Sequence, residues 1–78
     1  MRLTYDPKHN IAYLELRETT EPVETIRISD DLNIDLTPNG TVHGIEFLDA
    51  NTQLKSTDGG HLVLVNASGT ERTLPLAD

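Results

Sequence analysis

The sequence predicts a mainly β protein: an antiparallel β-meander of six to seven short strands in a small sandwich or partly open barrel, with at most one short helix near 49–55. Turn-forming residues recur about every eight to twelve positions, which is the spacing of β-hairpins rather than of helices. Between these turns, apolar and polar residues alternate with the period of two that turns one face of a strand inward.

The first two strands are predicted on either side of a short polar turn. Leu3–Tyr5 begins the first strand, and Ile11–Leu16 forms the second, with Ala12 and Leu14 on one face. The turn Asp6–Asn10 contains a proline that fixes φ, and its Asp and Asn side chains can bond the local backbone.

Three more strands are predicted after a polar loop over 17–22 that ends in proline. They are Val23–Ser29, Leu32–Leu36 and Thr41–Leu48, each identified by its alternation of apolar and polar residues. The last two form a β-hairpin around Pro38–Gly40, which is the strongest local signal in the sequence.

Two registers compete for this hairpin. A three-residue loop, with Pro38 at the first central position and Gly40 left-handed, pairs the threonines that flank it. A two-residue Asn-Gly turn instead pairs Ile34 with Ile45, but it requires a ladder N–H that Pro38 lacks. The registers differ by one residue, which exchanges the two faces of a strand. We favour the register that matches the apolar residues.

The rest of the chain predicts a short helix and two further strands. Asp49 is the expected N-cap of a helix over 49–55, and a flexible loop follows over 56–60. His61–Asn66 is the most β-prone run, and its near-continuous apolar character predicts burial on both faces. Thr70–Leu76 returns as an edge strand.

The composition describes one domain over residues 1–78 with a thin core. The apolar share is 36%, with one Phe and no Trp. A chain this short buries only about 60–65% of its unfolded surface, and such chains often gain burial by associating. We therefore expect a homo-oligomer, with a dimer favoured, whose shared core contains Ile45, Phe47 and the Leu62–Val65 strand.

Charge and cysteine content exclude several classes of function. Thirteen acidic residues against six basic ones give a net charge of −7, and the basic residues are dispersed, so we expect no direct binding of nucleic acid. A basic protein is the natural electrostatic partner. No apolar stretch suits a signal sequence or membrane span, and the lack of cysteine fits a reducing compartment. These features predict a cytoplasmic protein.

No catalytic motif is present in the sequence. There is no nucleophile elbow, phosphate-binding glycine loop or calcium loop, and the three histidines fall in three separate elements. We therefore expect a non-enzymatic protein-interaction module that needs no cofactor and has no native metal site, with a structural homo-oligomeric β protein as the first alternative.

The candidate partner-binding residues are acids on or beside the central hairpin: Asp31, Asp35, Glu46 and Asp49. They form a negatively charged patch in the favoured register, suited to a basic partner. An ordinary solvated sheet face looks the same. The alternative hypothesis is a small hydrolase or metal binder that uses His43 together with Glu46 and Asp49.

Gly44 stands inside a predicted strand, where glycine has no turn to form. A strand glycine usually marks a β-bulge or a close approach of another group to the backbone. We expect Gly44 either to allow a strong coil in the sheet or to let Tyr5 or Tyr13 lie across the backbone, with both tyrosine hydroxyls reaching water.

The first fifty residues carry a family resemblance, and the block over 44–50 is its most specific part. The segments concerned are Tyr5-Asp6-Pro7, Ala12-Tyr13-Leu14-Glu15-Leu16, Asp35, Pro38-Asn39-Gly40, and Val42 through Ala50. In these the chain resembles the domain of unknown function 2283 family of small bacterial proteins, for which the name implies no established activity. Its members often carry an acid where this chain has Asn10, so a carboxylate pair with Asp6 is not supported. Family members are similar to the products of genes found beside small ribonuclease-type toxins, and this association alone implies an antitoxin role.

Overall fold

A computed structural model describes residues 1–55 and 60–76, and the mainly β prediction is confirmed there. The elements are β1 (Arg2–Asp6), β2 (Ile11–Glu15), β3 (Glu24–Ser29), β4 (Leu32–Leu36), β5 (Val42–Leu48), α1 (Ala50–Lys55), β6 (His61–Val65) and β7 (Glu71–Pro75). The loop predicted over 56–60 lies outside the described residues, apart from Gly60.

The described strands form two antiparallel sheets and do not close into a barrel. The larger sheet has the order β1-β2-β5-β4-β3, and β6 pairs with β7 in a separate two-stranded sheet. The order departs from a simple meander because β2 pairs with β5 and not with β3. This pairing sets Leu14 beside Ile45 and Ala12 beside Phe47, so the two strands share one apolar surface.

The central hairpin contains both of the competing registers, joined by a β-bulge. At the turn, Thr37 donates its N–H to the Thr41 carbonyl at 2.9 Å, and Gly40 has a φ of +84°. Further along, Ile34 pairs with Ile45, as the favoured register predicts. The change occurs at His43, which has no partner of its own between Leu36↔Val42 and Asp35↔Gly44. One extra residue therefore satisfies both the proline and the apolar pattern.

The apolar face of the larger sheet is only partly covered. Its paired side chains run across all five strands: Leu3, Ala12, Leu14, Ile26, Leu32, Ile34, Ile45 and Phe47. Among these only Ala12 is buried, and no large side chain in the described part of the chain is fully buried. The core of the single chain is therefore thin, as the composition predicts.

Helix α1 is capped from the opposite end of the sequence. Asp49 precedes the helix as expected, and its backbone carbonyl accepts the N–H of Thr52 at 3.1 Å. The first helical N–H groups, however, are satisfied by Asn10. Its side-chain oxygen accepts the N–H of Asn51 at 2.8 Å, and its carbonyl accepts the N–H of Ala50 at 3.2 Å. The helix start is therefore fixed to the β1–β2 turn.

The predicted burial of the β6 strand is wrong for the single chain. All five residues of β6, and all five of β7, are exposed. The reason is that β6 pairs only with β7, so the hairpin stands apart from the larger sheet and no layer covers its outer face. An open cavity of about 490 Å³ separates the hairpin from the sheet. Its lining is apolar: Met1, Leu3, Leu14, Phe47, Leu54, Leu62 and Leu64.

Candidate functional site

The face of the larger sheet opposite the apolar residues carries most of its hydrogen-bonding side chains. We call this the polar face, and it includes Tyr13, Glu15, Asn33, Asp35 and Glu46, which alternate with apolar neighbours along their strands. The predicted pairing of Asn33 with Glu46 is confirmed, and the Asn33 amide donates to the Glu46 carboxylate at 2.9 Å.

Asp35 is the centre of a hydrogen-bonded chain across three strands. Its carboxylate accepts the Tyr13 hydroxyl at 2.7 Å and the Thr25 hydroxyl at 2.6 Å. Two causes raise the pKa of Tyr13 above its ordinary value: partial burial is the larger, and the hydrogen bond to Asp35 is the second. This phenol therefore stays protonated as a donor. Both tyrosine hydroxyls were expected to reach water, but the Tyr13 hydroxyl donates to Asp35 and the Tyr5 hydroxyl donates to Asn51.

Gly44 provides the space in which the Tyr13 ring lies, which confirms the predicted close approach to the backbone. A methyl group added at Gly44 would lie 2.8 Å from Cε2 of Tyr13 and closer still to Cζ and the hydroxyl oxygen. The φ of Gly44 is not in the left-handed region, so glycine is needed here for space alone. The glycine and the tyrosine form one structural unit.

The β-bulge directs the His43 ring toward Glu15 at the end of the polar face. Nε2 of His43 lies 3.8 Å from the Glu15 carboxylate, and the His43 ring centroid is 6.2 Å from that of Tyr13. Within the described residues, Nδ1 of His43 is buried without a hydrogen-bond partner. Buried polar atoms are rarely left without a hydrogen bond, so this nitrogen is an exception among the polar atoms of the face.

His43 and Glu15 also line an open depression, which we call the acidic pocket. Its volume is about 620 Å³, and its lining is Glu15, Glu18, Thr19, Thr20, Glu21 and His43. No lysine or arginine lines it, and its lining residues carry three carboxylates, two hydroxyls and one imidazole. Sequence reasoning did not identify this pocket, because the loop after β2 shows no pattern that predicts where its glutamates lie.

The four predicted partner-binding acids separate into two pairs. Asp35 and Glu46 lie half-buried on the polar face, and both already accept hydrogen bonds from the chain's own side chains. Asp31 and Asp49 are exposed at the far end of the sheet, where the Leu48 N–H donates to the Asp31 carbonyl at 3.0 Å. The Asp49 carboxylate accepts the Asn10 amide at 3.1 Å. Two of the four acids are thus half-buried and two are exposed.

The histidines lie in separate elements, as expected. His9 is in the β1–β2 turn, where its Nδ1 lies 2.6 Å from the Asp6 carboxylate, and this hydrogen bond lowers the pKa of Asp6. His43 is in β5 and His61 in β6. In residues 1–55 and 60–76 no three His, Cys, Asp or Glu side chains are grouped closely enough to hold a metal ion. The structure does not bring His43, Glu46 and Asp49 together as such a group.

Comparisons with known proteins bear on the larger sheet alone. None of the described helices is long and apolar enough to cross a membrane. A search of curated proteins found no match, and neither did a search of solved structures. The family model described as "Protein of unknown function (DUF2283)" matches residues 2–51, which include β1 to β5 and the start of α1. Because that match spans more than half of its residues, the chain belongs to the DUF2283 family.

Proposed function

We propose that this chain is a non-enzymatic protein-interaction module that works as a homo-oligomer, with a dimer favoured. A second copy covers the apolar surface that one chain leaves open. The observation that carries this proposal is the absence of any fully buried large side chain in the described residues. A folded domain normally needs a close-packed interior, and association is the usual remedy for a chain too small to provide one.

The mass of the protein in solution tests this proposal. Size-exclusion chromatography with light scattering at micromolar concentration should give about 17 kDa, twice the 8.6 kDa of one chain, or a higher multiple. A strict monomer of 8.6 kDa across the micromolar range would overturn it.

The proposed location is the cytoplasm, because a protein without cysteine has no disulfide that reducing conditions would break.

A second candidate function is the binding of a basic protein, and the acidic pocket favours it. Glu15, Glu18 and Glu21 line a space that no lysine or arginine lines, in a chain whose net charge is −7. Such a site attracts arginine or lysine side chains and accelerates their encounter. A basic, toxin-like protein is the most concrete partner of this kind.

Titration calorimetry with a peptide rich in arginine and lysine tests the second candidate. The variant Glu15→Gln/Glu18→Gln/Glu21→Gln should lose binding, because it neutralises all three carboxylates of the pocket. The control variant Glu24→Gln/Asp30→Asn/Glu71→Gln changes the net charge by the same amount at exposed positions outside the pocket lining and should retain binding. Equal losses in both variants would show attraction to the whole charge and would contradict a defined site.

A further inference from the structure

We propose that the homo-oligomer is a two-fold dimer in which the β6–β7 hairpin of each copy lies on the apolar sheet face of the other. This inference rests on the proposed function, since it names the surface and the occupant of the same association. The β6–β7 hairpin lies outside the family match, which ends at residue 51.

The hairpin has apolar side chains on both of its faces. Leu62, Leu64 and Leu74 line cavities against the larger sheet, so they form its inner face. Val63 and Val65 alternate with them on the outer face, where Val63 pairs with Thr73 and Val65 pairs with Glu71 at the turn end of the hairpin. All five apolar side chains are between 41% and 56% exposed. A two-stranded hairpin is marginal in water unless other layers cover it, so both faces require a partner surface.

The chain itself supplies only part of that cover. The inner face lies beside the β1 side of the sheet, where Leu3 contributes to both apolar cavities. The cavity of about 490 Å³ shows that the fit is loose even there. Ile26, Ile34 and Ile45, on β3, β4 and β5 of the same face, line neither cavity and are half-buried. These half-buried isoleucines and the exposed valines belong to two different parts of one chain.

The exposed area agrees with the loss of one partner of ordinary size. The chain exposes 5708 Å². A compact monomer of its mass should expose about 4,700 Å², which leaves an excess of about 1,000 Å². Each partner in a standard interface contributes about 800 Å². The excess therefore matches what one chain contributes to a stable dimer.

The distribution of charge favours a second copy over a basic protein at this surface. The side chains that line the apolar cavity carry no charge, while Glu15, Asp35 and Glu46 lie on the opposite face of the sheet. Two copies that meet through their apolar faces keep their acidic faces outward, on opposite sides of two molecules whose shortest dimension is 19 Å. That separation exceeds the Debye length of about 8 Å at physiological salt, so repulsion between the faces is screened.

Two-fold symmetry brings the outer valines and the sheet isoleucines of both copies into contact at once. If the outer valines of one copy contact the sheet isoleucines of the other, symmetry repeats the same contact in the reverse direction. The result is a closed dimer with no hairpin face left open. An open fibre, by contrast, would leave terminal surfaces uncovered.

A charge on the outer face of the hairpin tests the inference. Val63→Asp/Val65→Asp should weaken dimerisation by roughly 100-fold or more in sedimentation equilibrium, because the interface would bury unpaired carboxylates. The matched control is Val23→Asp, since Val23 is 40% exposed and Val63 is 45% exposed, and it should remain dimeric because Val23 lies outside the strands. Far-UV circular dichroism reports whether each variant is folded.

A cross-link provides a second measurement that does not depend on the folding of the aspartate variant. The chain has no cysteine, so Val63→Cys and Ile34→Cys each introduce a single thiol. When the two variants are mixed, a short bismaleimide should join one of each into a product of twice the mass. A dimer that survives Val63→Asp/Val65→Asp, or that gives no such cross-link, overturns this inference but leaves the proposed homo-oligomer intact. A wild-type monomer overturns both.

Discussion

The five-stranded sheet and the β6–β7 hairpin have similar strand chemistry but different surroundings. In the sheet, each apolar side chain has apolar neighbours on the adjacent strands, and hydrogen-bonded polar groups occupy the opposite face. In the hairpin, apolar residues occupy both faces and stay exposed. The difference shows that period-two alternation specifies one apolar and one polar face, whereas a continuous apolar run specifies two apolar faces that both need further layers. The following changes test this comparison, from the largest expected effect to the smallest.

Gly44→Ala should cause the greatest loss, because the new methyl group would collide with the Tyr13 ring on the polar face. Overpacking of this kind typically lowers the free energy of unfolding by about 1–3 kcal/mol. Urea denaturation measures the loss. In a Tyr13→Val background the same substitution should cost much less, since the ring is gone. An equal cost in both backgrounds would contradict the paired role of the two residues.

Tyr13→Phe should lower the free energy of unfolding by about 1–2 kcal/mol, since a hydrogen bond to a carboxylate is lost in a partly buried place. The packing of the ring against Gly44 is retained, which separates this effect from the previous one. Tyr5→Phe is the control, because the Tyr5 hydroxyl donates to a neutral amide and its loss should cost about 1 kcal/mol or less. A larger effect at Tyr5 would contradict the central place of Asp35.

Asn10→Gly should destabilise the protein by about 1 kcal/mol and increase amide exchange at the start of α1. Glycine tolerates the φ of +58° at this position, so the loss reports the missing cap and not backbone strain. Asn10→Asp keeps an oxygen acceptor for the Asn51 N–H and should retain most of the protection of α1. Equal exchange rates in the two variants would show that Asn10 does not cap the helix.

Val63→Thr should change the stability of the diluted, monomeric chain by less than about 0.5 kcal/mol, because Val63 is exposed there. The matched change in the sheet, Ile34→Thr, should cost about 1 kcal/mol more, since Ile34 pairs with both Ile26 and Ile45. Urea denaturation at low protein concentration measures both. Similar losses would remove the distinction between the two regions.

Asp6→Asn should have the smallest effect, and the effect should depend on pH. The His9 hydrogen bond lowers the pKa of Asp6 below its ordinary value of 3.8, so the folded state binds this proton less readily than the unfolded state. The stabilising contribution is therefore present above pH 3.8 and is lost as the pH falls through the lowered pKa. The difference in Tm between wild type and Asp6→Asn should shrink in that range. A constant difference would contradict this assignment.

The sequence predicted the sheet well because its signals are local or repeat along a strand. The pairing of Ile34 with Ile45 follows from the alternation of apolar residues, and the fold confirms it. The sequence also contained the sign of the β-bulge, since Pro38 and the apolar pattern demanded registers that differ by one residue. An extra residue is the simplest way to meet both demands.

Other features could not be predicted, because they depend on groups that are distant in sequence or absent from the chain. Asn10 caps a helix 41 residues away, and nothing near it indicates that partner. The acidic pocket depends on how the loop after β2 folds back toward His43. The burial expected for His61–Asn66 failed because an apolar run reports the chemistry of its side chains and not what covers them.

The unpaired residue at His43 has a consequence for how this hairpin tolerates changes in chain length. Deleting it would place Leu36↔Val42 and Asp35↔Gly44 in unbroken succession, so every apolar side chain would keep its side of the sheet. The main loss would be the 2.8 Å bond from the Leu16 N–H to the His43 carbonyl. A single-residue deletion, which usually inverts a strand, would therefore keep the interior-facing side chains in place at this one point. Related chains that differ in length by one residue here can therefore share the same core alignment.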